Sequence, residues 1–305
     1  AMAEAAVAAE EPEARLCGWV GWSGVLERYP LQPSCGVPRC LSLSVASSAA
    51  CGPLAHLHAG SVWNGAVRLA QLLETGFLRD RLNGKVVLEL GAGAALPSLV
   101  LLSEPGLEDR DSTAEPGCFP QGVVISDFPS EELVANIVAN LGRNSAVLAE
   151  PFRCCGEEKG GGLGLPDRVR VVGHAWGSDV SELRTAAVAV SGGRVNGFEV
   201  VLMGDCLWND STHSGLLETL CSVLVPGGEV WSSHCHHWLG HQAADDRLWQ
   251  RAATMGLVVS EERPGEVSRA ELEALFGGEP QAVFVHRLLR PEGSAVAASA
   301  TEVQQ

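Results

Sequence analysis

Seven short apolar runs recur along the chain from residue 85 onward, and no fold that leaves them in water is stable. They are "KVVLEL" (85 to 90), "GVVISDF" (122 to 128), "VRVVGHA" (169 to 175), "FEVVLMG" (198 to 204), "GEVWSSH" (228 to 234), "LVVSEE" (257 to 262) and "AVFVHRLL" (282 to 289). Most are continuous rather than alternating, as strands covered on both faces require. Helical spacing fills the gaps. Leu133, Ile137 and Leu141 recur at steps of four within 130 to 141, and Leu216, Leu217, Leu220 and Leu224 form one stripe within 212 to 224. Asp210 and Ser211 offer capping oxygens to the second, and "PGG" at 226 to 228 is expected to end it. Residues 61 to 78 read as an amphipathic helix with Trp63, Val67, Ala70, Leu73 and Phe77 on one face. Alternating units of this kind predict an α/β fold, a doubly wound, seven-stranded, mostly parallel, Rossmann-like sheet.

A chain of 305 residues with 46% hydrophobic content can bury one sizeable core. The expected organisation is a disordered leader over 1 to 15, an extension over 16 to 60, the α/β domain over 61 to 290 and a disordered tail over 291 to 305. Within the extension, "GWVGWSGVLERY" and "CLSLSVA" are able to pair as a hairpin. The stretches 103 to 122 and 154 to 167 are rich in Gly, Pro and charge and read as surface loop insertions. No apolar run approaches the roughly 20 residues that a membrane-spanning helix needs, and the N-terminus lacks the basic and apolar regions of a secretory signal. The formal net charge of -16 repels a nucleic-acid backbone and suits a basic partner. None of the ten cysteines forms a Cys-x-x-Cys pair, and Cys206 and Cys221 sit inside apolar patterns, so a reducing, cytoplasmic setting is expected.

The first strand runs into "ELGAGAAL", whose glycines let the backbone pass close to a ligand at the start of a helix. Three readings stand. A dinucleotide fingerprint requires a third glycine where this chain has Leu96. An S-adenosylmethionine (SAM) site needs only the shorter Gly-x-Gly turn and a preceding acid, here Glu89, which can order the groups that receive the methionine ammonium and carboxylate. A tight turn with no ligand is the third. Asp127, at the end of the second strand, is placed to accept from two ribose hydroxyls, and Trp176, just past the third, offers an apolar wall to an adenine.

Six blocks make a family resemblance specific: "SVWNGAVRLAQLL", "VLELGAGAALPSL", "ISDFPSEELVANIVANL", "GHAWG", "GDCLWNDSTHSGLLETL" and "SSHCHH", in that order across residues 61 to 237. Together they resemble the family-16 seven-strand SAM-dependent methyltransferases. Within these they are most similar to the protein N-terminal and lysine methyltransferases of translation elongation factor 1-alpha, a branch formerly called nicotinamide N-methyltransferase-like. The resemblance implies SAM as methyl donor, S-adenosylhomocysteine as product, and a protein amine as acceptor. It places cofactor contacts on Trp63, Gly91, Ala92, Gly93, Asp127, Trp176 and Gly204. In "DCLWN" it puts an acid at Asp205 and an aromatic at Trp208, where the family usually has Tyr or Phe. On the acceptor side, Asp205 is expected to attract an ammonium, with Trp208 and Asn209 lining its slot.

The histidines of "HCHHWLGH", His234, His236, His237 and His241, have no carboxylate or Cys pair at metal spacing beside them, so no metal is expected. Two other functions remain open from sequence: a small-molecule N-methyltransferase acting on a nicotinamide-like substrate, and a SAM-binding module without catalysis. A nucleic-acid methyltransferase is disfavoured, since no Asn-Pro-Pro-Tyr-like run follows the fourth strand and the charge is wrong.

Overall fold

The continuous apolar runs pair into one seven-stranded sheet, because strands with no polar face can hide only between two layers of helix. The computed structural model describes residues 18–19, 26–34, 37–46, 61–103, 119–149, 152, 166–236, 242–263 and 282–293. The leader, most of the tail, the centres of both loop insertions, and His237 and His241 lie outside the described residues.

The elements, in chain order, are β1 (Gly18–Trp19), β2 (Leu26–Ser34), β3 (Val37–Ser44), β4 (Val62–Trp63), α1 (Asn64–Glu74), α2 (Arg79–Leu82), β5 (Val86–Leu90), α3 (Leu96–Leu102), β6 (Gly122–Asp127), α4 (Glu131–Arg143), β7 (Val169–Gly173), α5 (Ser181–Val190), β8 (Phe198–Gly204), α6 (His213–Val223), β9 (Leu224–His234), α7 (Gln242–Thr254), β10 (Val258–Glu262) and β11 (Phe284–Leu289). The sheet order is β10-β11-β9-β8-β5-β6-β7. The five strands from β9 to β7 are parallel; at the other edge β11 runs antiparallel to β9, and β10, antiparallel to β11, points the same way as the five. The chain winds one way through β5, β6 and β7 and the other way through β8 and β9. The crevice at the carboxyl ends of β5 and β8 is therefore the topological switch point, where such sheets bind ligands.

Side-chain alternation along the strands builds two cores. Val87, Val123, Ile125, Val200 and Leu202 face α1, α3 and α4, while Val86, Leu88, Val124, Val201 and Met203 face α5, α6 and α7. Each fully buried aliphatic side chain contributes about 1.5 to 3 kcal/mol. The β2–β3 hairpin joins the first core through Tyr29, Leu31, Leu41 and Leu43. Its outer backbone is held by asparagines of α4 and its C-cap. Asn144 accepts from Ser42 N and donates to Ser42 O, and Asn140 does the same for Ser44, all at 2.7 to 2.8 Å.

Three expectations are corrected. The helix read over 61 to 78 begins only at Asn64, because Val62 and Trp63 pair with β1 as a strand; Phe77 lies beyond its end. The "PGG" run does not end α6, which stops at Val223. Pro226, Gly227 and Gly228 form an irregularity inside β9, where the partner of β8 jumps from Leu224 to Glu229. Neither Asp210 nor Ser211 caps α6, whose N-cap residue Thr212 makes no side-chain cap bond; Asn209 instead caps the 3-10 turn over Asp210–Thr212 that leads into it, accepting from Ser211 N at 3.1 Å.

Candidate active site

The turn after β5 reverses the chain by putting Gly91 (φ +69°), Gly93 (φ +54°) and Ala95 (φ +61°) in the left-handed region. The two glycines are needed for different reasons. A Cβ at Gly91 would lie 2.8 Å from Cys206 Sγ and 3.1 Å from the Trp176 ring, so protein fills that space. A Cβ at Gly93 would meet nothing within 4 Å and would point into open space. That space is a cavity of about 390 Å³ at the switch point, within the range of small-molecule sites.

Of the residues singled out from sequence, Trp63, Gly91, Ala92, Gly93, Asp127, Trp176 and Gly204 line this cavity, as do Asp205, Trp208 and Asn209. Glu89 does not. It is buried behind the turn, where its carboxyl oxygen accepts from Ser98 N at 2.9 Å, and burial pushes its pKa up to about 8. Sequence reasoning did not identify Phe128, His174 and Cys206, which are among the further residues of the wall. Their only signal was position, each lying within two residues of a strand's carboxyl end.

Asp127 is oriented by two backbone donors, Gly93 N at 2.6 Å and Phe128 N at 2.7 Å, one to each oxygen. Burial holds its carboxyl above the usual carboxylate range, and those two N–H groups work against the shift. Each oxygen keeps a lone pair for a ligand hydroxyl. Trp176 and Phe128 add apolar surface to the same cavity.

Asp205 holds three elements together. Its φ is +57°, its Oδ2 accepts from Gly65 N at 2.6 Å, its Oδ1 accepts from Cys235 N at 2.9 Å, and its own N–H donates to Ser233 O at 2.7 Å. Trp63, the N-cap residue of α1, makes no side-chain cap bond. Asp205, from the end of β8, therefore caps this helix directly and brings a negative charge to its positive end. Close packing explains Gly204 as well. A Cβ there would sit 2.7 Å from Ala66 Cα, so its small size serves the seating of α1 rather than the close approach of a ligand. Asn209 Oδ1 is committed to Ser211, while the neighbouring Trp208 is half-buried in the cavity lining.

Electrostatically the site is one-sided. Asp127 and Asp205 line the cavity, Glu89 lies behind it, and all three push the buried Cys206 thiol upward together with desolvation, which is the largest cause. Among the described residues lining the cavity there is no lysine or arginine, whereas there are the three indoles of Trp63, Trp176 and Trp208. Carboxylates and aromatic faces attract a cation. A pyrophosphate is poorly served. Pro97 has no N–H, the N–H of Ser98 is taken by Glu89, and α3 is only seven residues long.

Comparison with known proteins gives fungal relatives named protein N-terminal and lysine N-methyltransferase EFM7. The Eremothecium gossypii protein is 31% identical over 199 residues, 64% of this chain and 62% of that one. The Neurospora crassa protein is 31% identical over 209 residues, 67% of this chain and 62% of that one. The Yarrowia lipolytica protein is 28% identical over 180 residues, 56% and 54% respectively. The chain thus spans between about half and three-fifths of the length of the curated relatives it matches. Among solved structures, a methyltransferase from Pyrococcus furiosus aligns over 74% of this chain and 83% of its own, at 16% identity and a TM-score of 0.42, too low to add to the architecture described above. No protein-family model matches the chain.

Proposed function

We propose that this chain is a SAM-dependent protein N-methyltransferase acting on an N-terminal α-amine, a lysine side chain, or both. The observation that carries the reading is the charge of the switch-point cavity, which two aspartates and three tryptophans line with no described lysine or arginine among them. That setting suits a sulfonium and an amine and opposes a phosphate. The names of the fungal relatives support the same reaction. The resemblance of the sequence blocks points to translation elongation factor 1-alpha as the partner.

SAM, when bound, supplies a methyl group activated by positively charged sulfur. The residues of this chain would bind and align. Asp127 would hold the ribose hydroxyls, the Gly91-Ala92-Gly93 turn would border the methionine portion, and Trp176 and Phe128 would flank the adenine. Trp208 and Asn209 would form the acceptor slot, with Asp205 fixing Trp63 and α1 as its rim. Holding an amine lone pair in line with the methyl carbon can be worth about 7 to 11 kcal/mol. The amine must arrive neutral. At pH 7 that holds for roughly 1 in 7 α-amines but only about 1 in 2500 lysines, a difference of roughly 3.5 kcal/mol in favour of the terminus. The negative overall charge of -16 fits a basic protein substrate.

The test is incubation with methyl-labelled SAM and a cell extract lacking the endogenous activity, followed by separation of protein from small molecules. Label in a protein band, mapped by mass spectrometry to an α-amine or lysine, is the expected result. Label confined to small molecules would replace the protein acceptor with a nicotinamide-like one. Tight SAM binding with no label anywhere would make the chain a binding module.

A further inference from the structure

We propose that His234, His236 and Asp245 form a binding site for one divalent transition-metal ion of the zinc class, separate from the cavity and independent of the methyl-transfer reading. The sequence argued against a metal because no carboxylate accompanies the histidines. Folding supplies one: Asp245, on α7, comes against the end of β9. The candidate ligand atoms of the three residues all lie within 4.8 Å of one another. His236 Nδ1 and Asp245 Oδ2 are 2.7 Å apart. His234 and Asp245 are 0% and 1% exposed, while His236 is partly open to solvent.

Two imidazoles and a carboxylate are the donor set of three-ligand zinc sites, which keep a fourth position for water, and imidazole nitrogen selects transition ions over magnesium or calcium. Tetrahedral donors about 2.0 to 2.2 Å from zinc stand about 3.4 Å apart. The longest separation must therefore close by up to about 1.4 Å and the His236–Asp245 contact must open by about 0.7 Å, both within reach of side-chain rotation. The surroundings are built to hold the rings still. Phe284 lies 4.5 Å from His236, the His286 ring lies 5.3 Å from His234, and Trp249 stacks on His286 at 4.4 Å and 15°. His286 Nδ1 is buried with no hydrogen-bond partner among the described residues. None of the three ligands lines the cavity. Cys235, between two of them, donates its N–H to Asp205, so an ion here would fix the rim of the cavity from behind.

The experiment uses the full chain without a histidine tag, stripped with chelator, and titrated with Co²⁺ while the visible absorption is recorded; Zn²⁺ is then added as competitor. One Co²⁺ per chain should bind with a d–d spectrum that has no thiolate charge-transfer band, and Zn²⁺ should displace it. His236→Gln and Asp245→Asn should each weaken binding about tenfold or more. Because either variant could unfold, circular dichroism of each metal-free protein is recorded first, and Zn²⁺ should raise the melting temperature of the wild type alone. A folded wild type that shows no cobalt spectrum overturns the proposal. So does a thiolate band, which would put the ion on cysteines, or undiminished binding by both folded variants.

Discussion

At the scale of the residue, Asp205 changes meaning between sequence and structure. Its position after β8 marked it as an acceptor-side acid, but both of its oxygens receive backbone N–H groups, from Gly65 and Cys235. Asp205→Asn must turn an NH₂ group toward one of those donors and leave it unsatisfied in a buried site. A loss of about 1 to 3 kcal/mol in denaturant unfolding is expected. Weaker SAM binding by calorimetry should accompany it, because the rim at Trp63 loosens. Unchanged stability with a large fall in turnover would instead return Asp205 to direct contact with the amine. The glycine turn gives a second, paired prediction. Gly91→Ala meets both a strained φ and the Cys206 and Trp176 side chains, and should cost about 2 to 4 kcal/mol. Gly93→Ala meets only the strain, roughly 1 to 2 kcal/mol, and projects a methyl into the cavity. Unfolding curves should rank Gly91→Ala the worse, while Gly93→Ala should lose SAM affinity out of proportion to its stability.

At the scale of the element, the hairpin is attached to the α/β unit by a ladder of amides at four-residue spacing, Asn136 and Asn140 on α4 and Asn144 at its C-cap. A strand edge leaves N–H and C=O groups that must be satisfied. Here each asparagine side chain takes the place of the next strand. Asn140 also donates to Ala94 O at 3.1 Å and so connects the hairpin to the glycine turn, whereas Asn144 bonds only to Ser42 and its own helix. Asn144→Ala should free the Ser42 amide to hydrogen exchange without altering SAM affinity. Asn140→Ala should free Ser44, cost about 2 to 3 kcal/mol, and weaken SAM binding as well. Equal effects of the two variants on SAM would remove that connection. Besides the one-turn α2, two longer helices escaped the sequence reading. α5 and α7 bury Ala186, Ala187, Ala244 and Ala252 among few large side chains, so their apolar stripes carry little contrast against the polar face.

For the whole molecule, stability should depend on pH through Glu89. Its folded pKa of about 8 exceeds the ordinary 4.5, so the native state binds the extra proton between these values. Stability of the ligand-free protein from this group is therefore greatest below pH 4.5 and falls as pH rises toward about 8. Asp127 is shifted in the same direction. Glu89→Gln keeps an acceptor for Ser98 N without the ionisation. Its unfolding free energy should gain on the wild type by a few kcal/mol between about pH 5 and pH 8, read from denaturant curves across that range. A constant difference would mean that Glu89 is already ionised in the fold.

Among the described residues no helix is long and apolar enough to cross a membrane. Local chemistry fixed much of this protein in advance. Continuous apolar strands between helices dictate a parallel sheet, and a Gly-x-Gly turn with an acid ending the next strand dictates where its crevice lies, because both follow from period and backbone freedom within a few residues. Contacts between residues far apart in the chain are a different matter. That Asp205 caps α1 across 140 residues, that Gly204 is small for the sake of Ala66, and that Asp245 meets His236 are decided by how the layers pack, since no local pattern encodes the distance between two surfaces that meet only when the core closes.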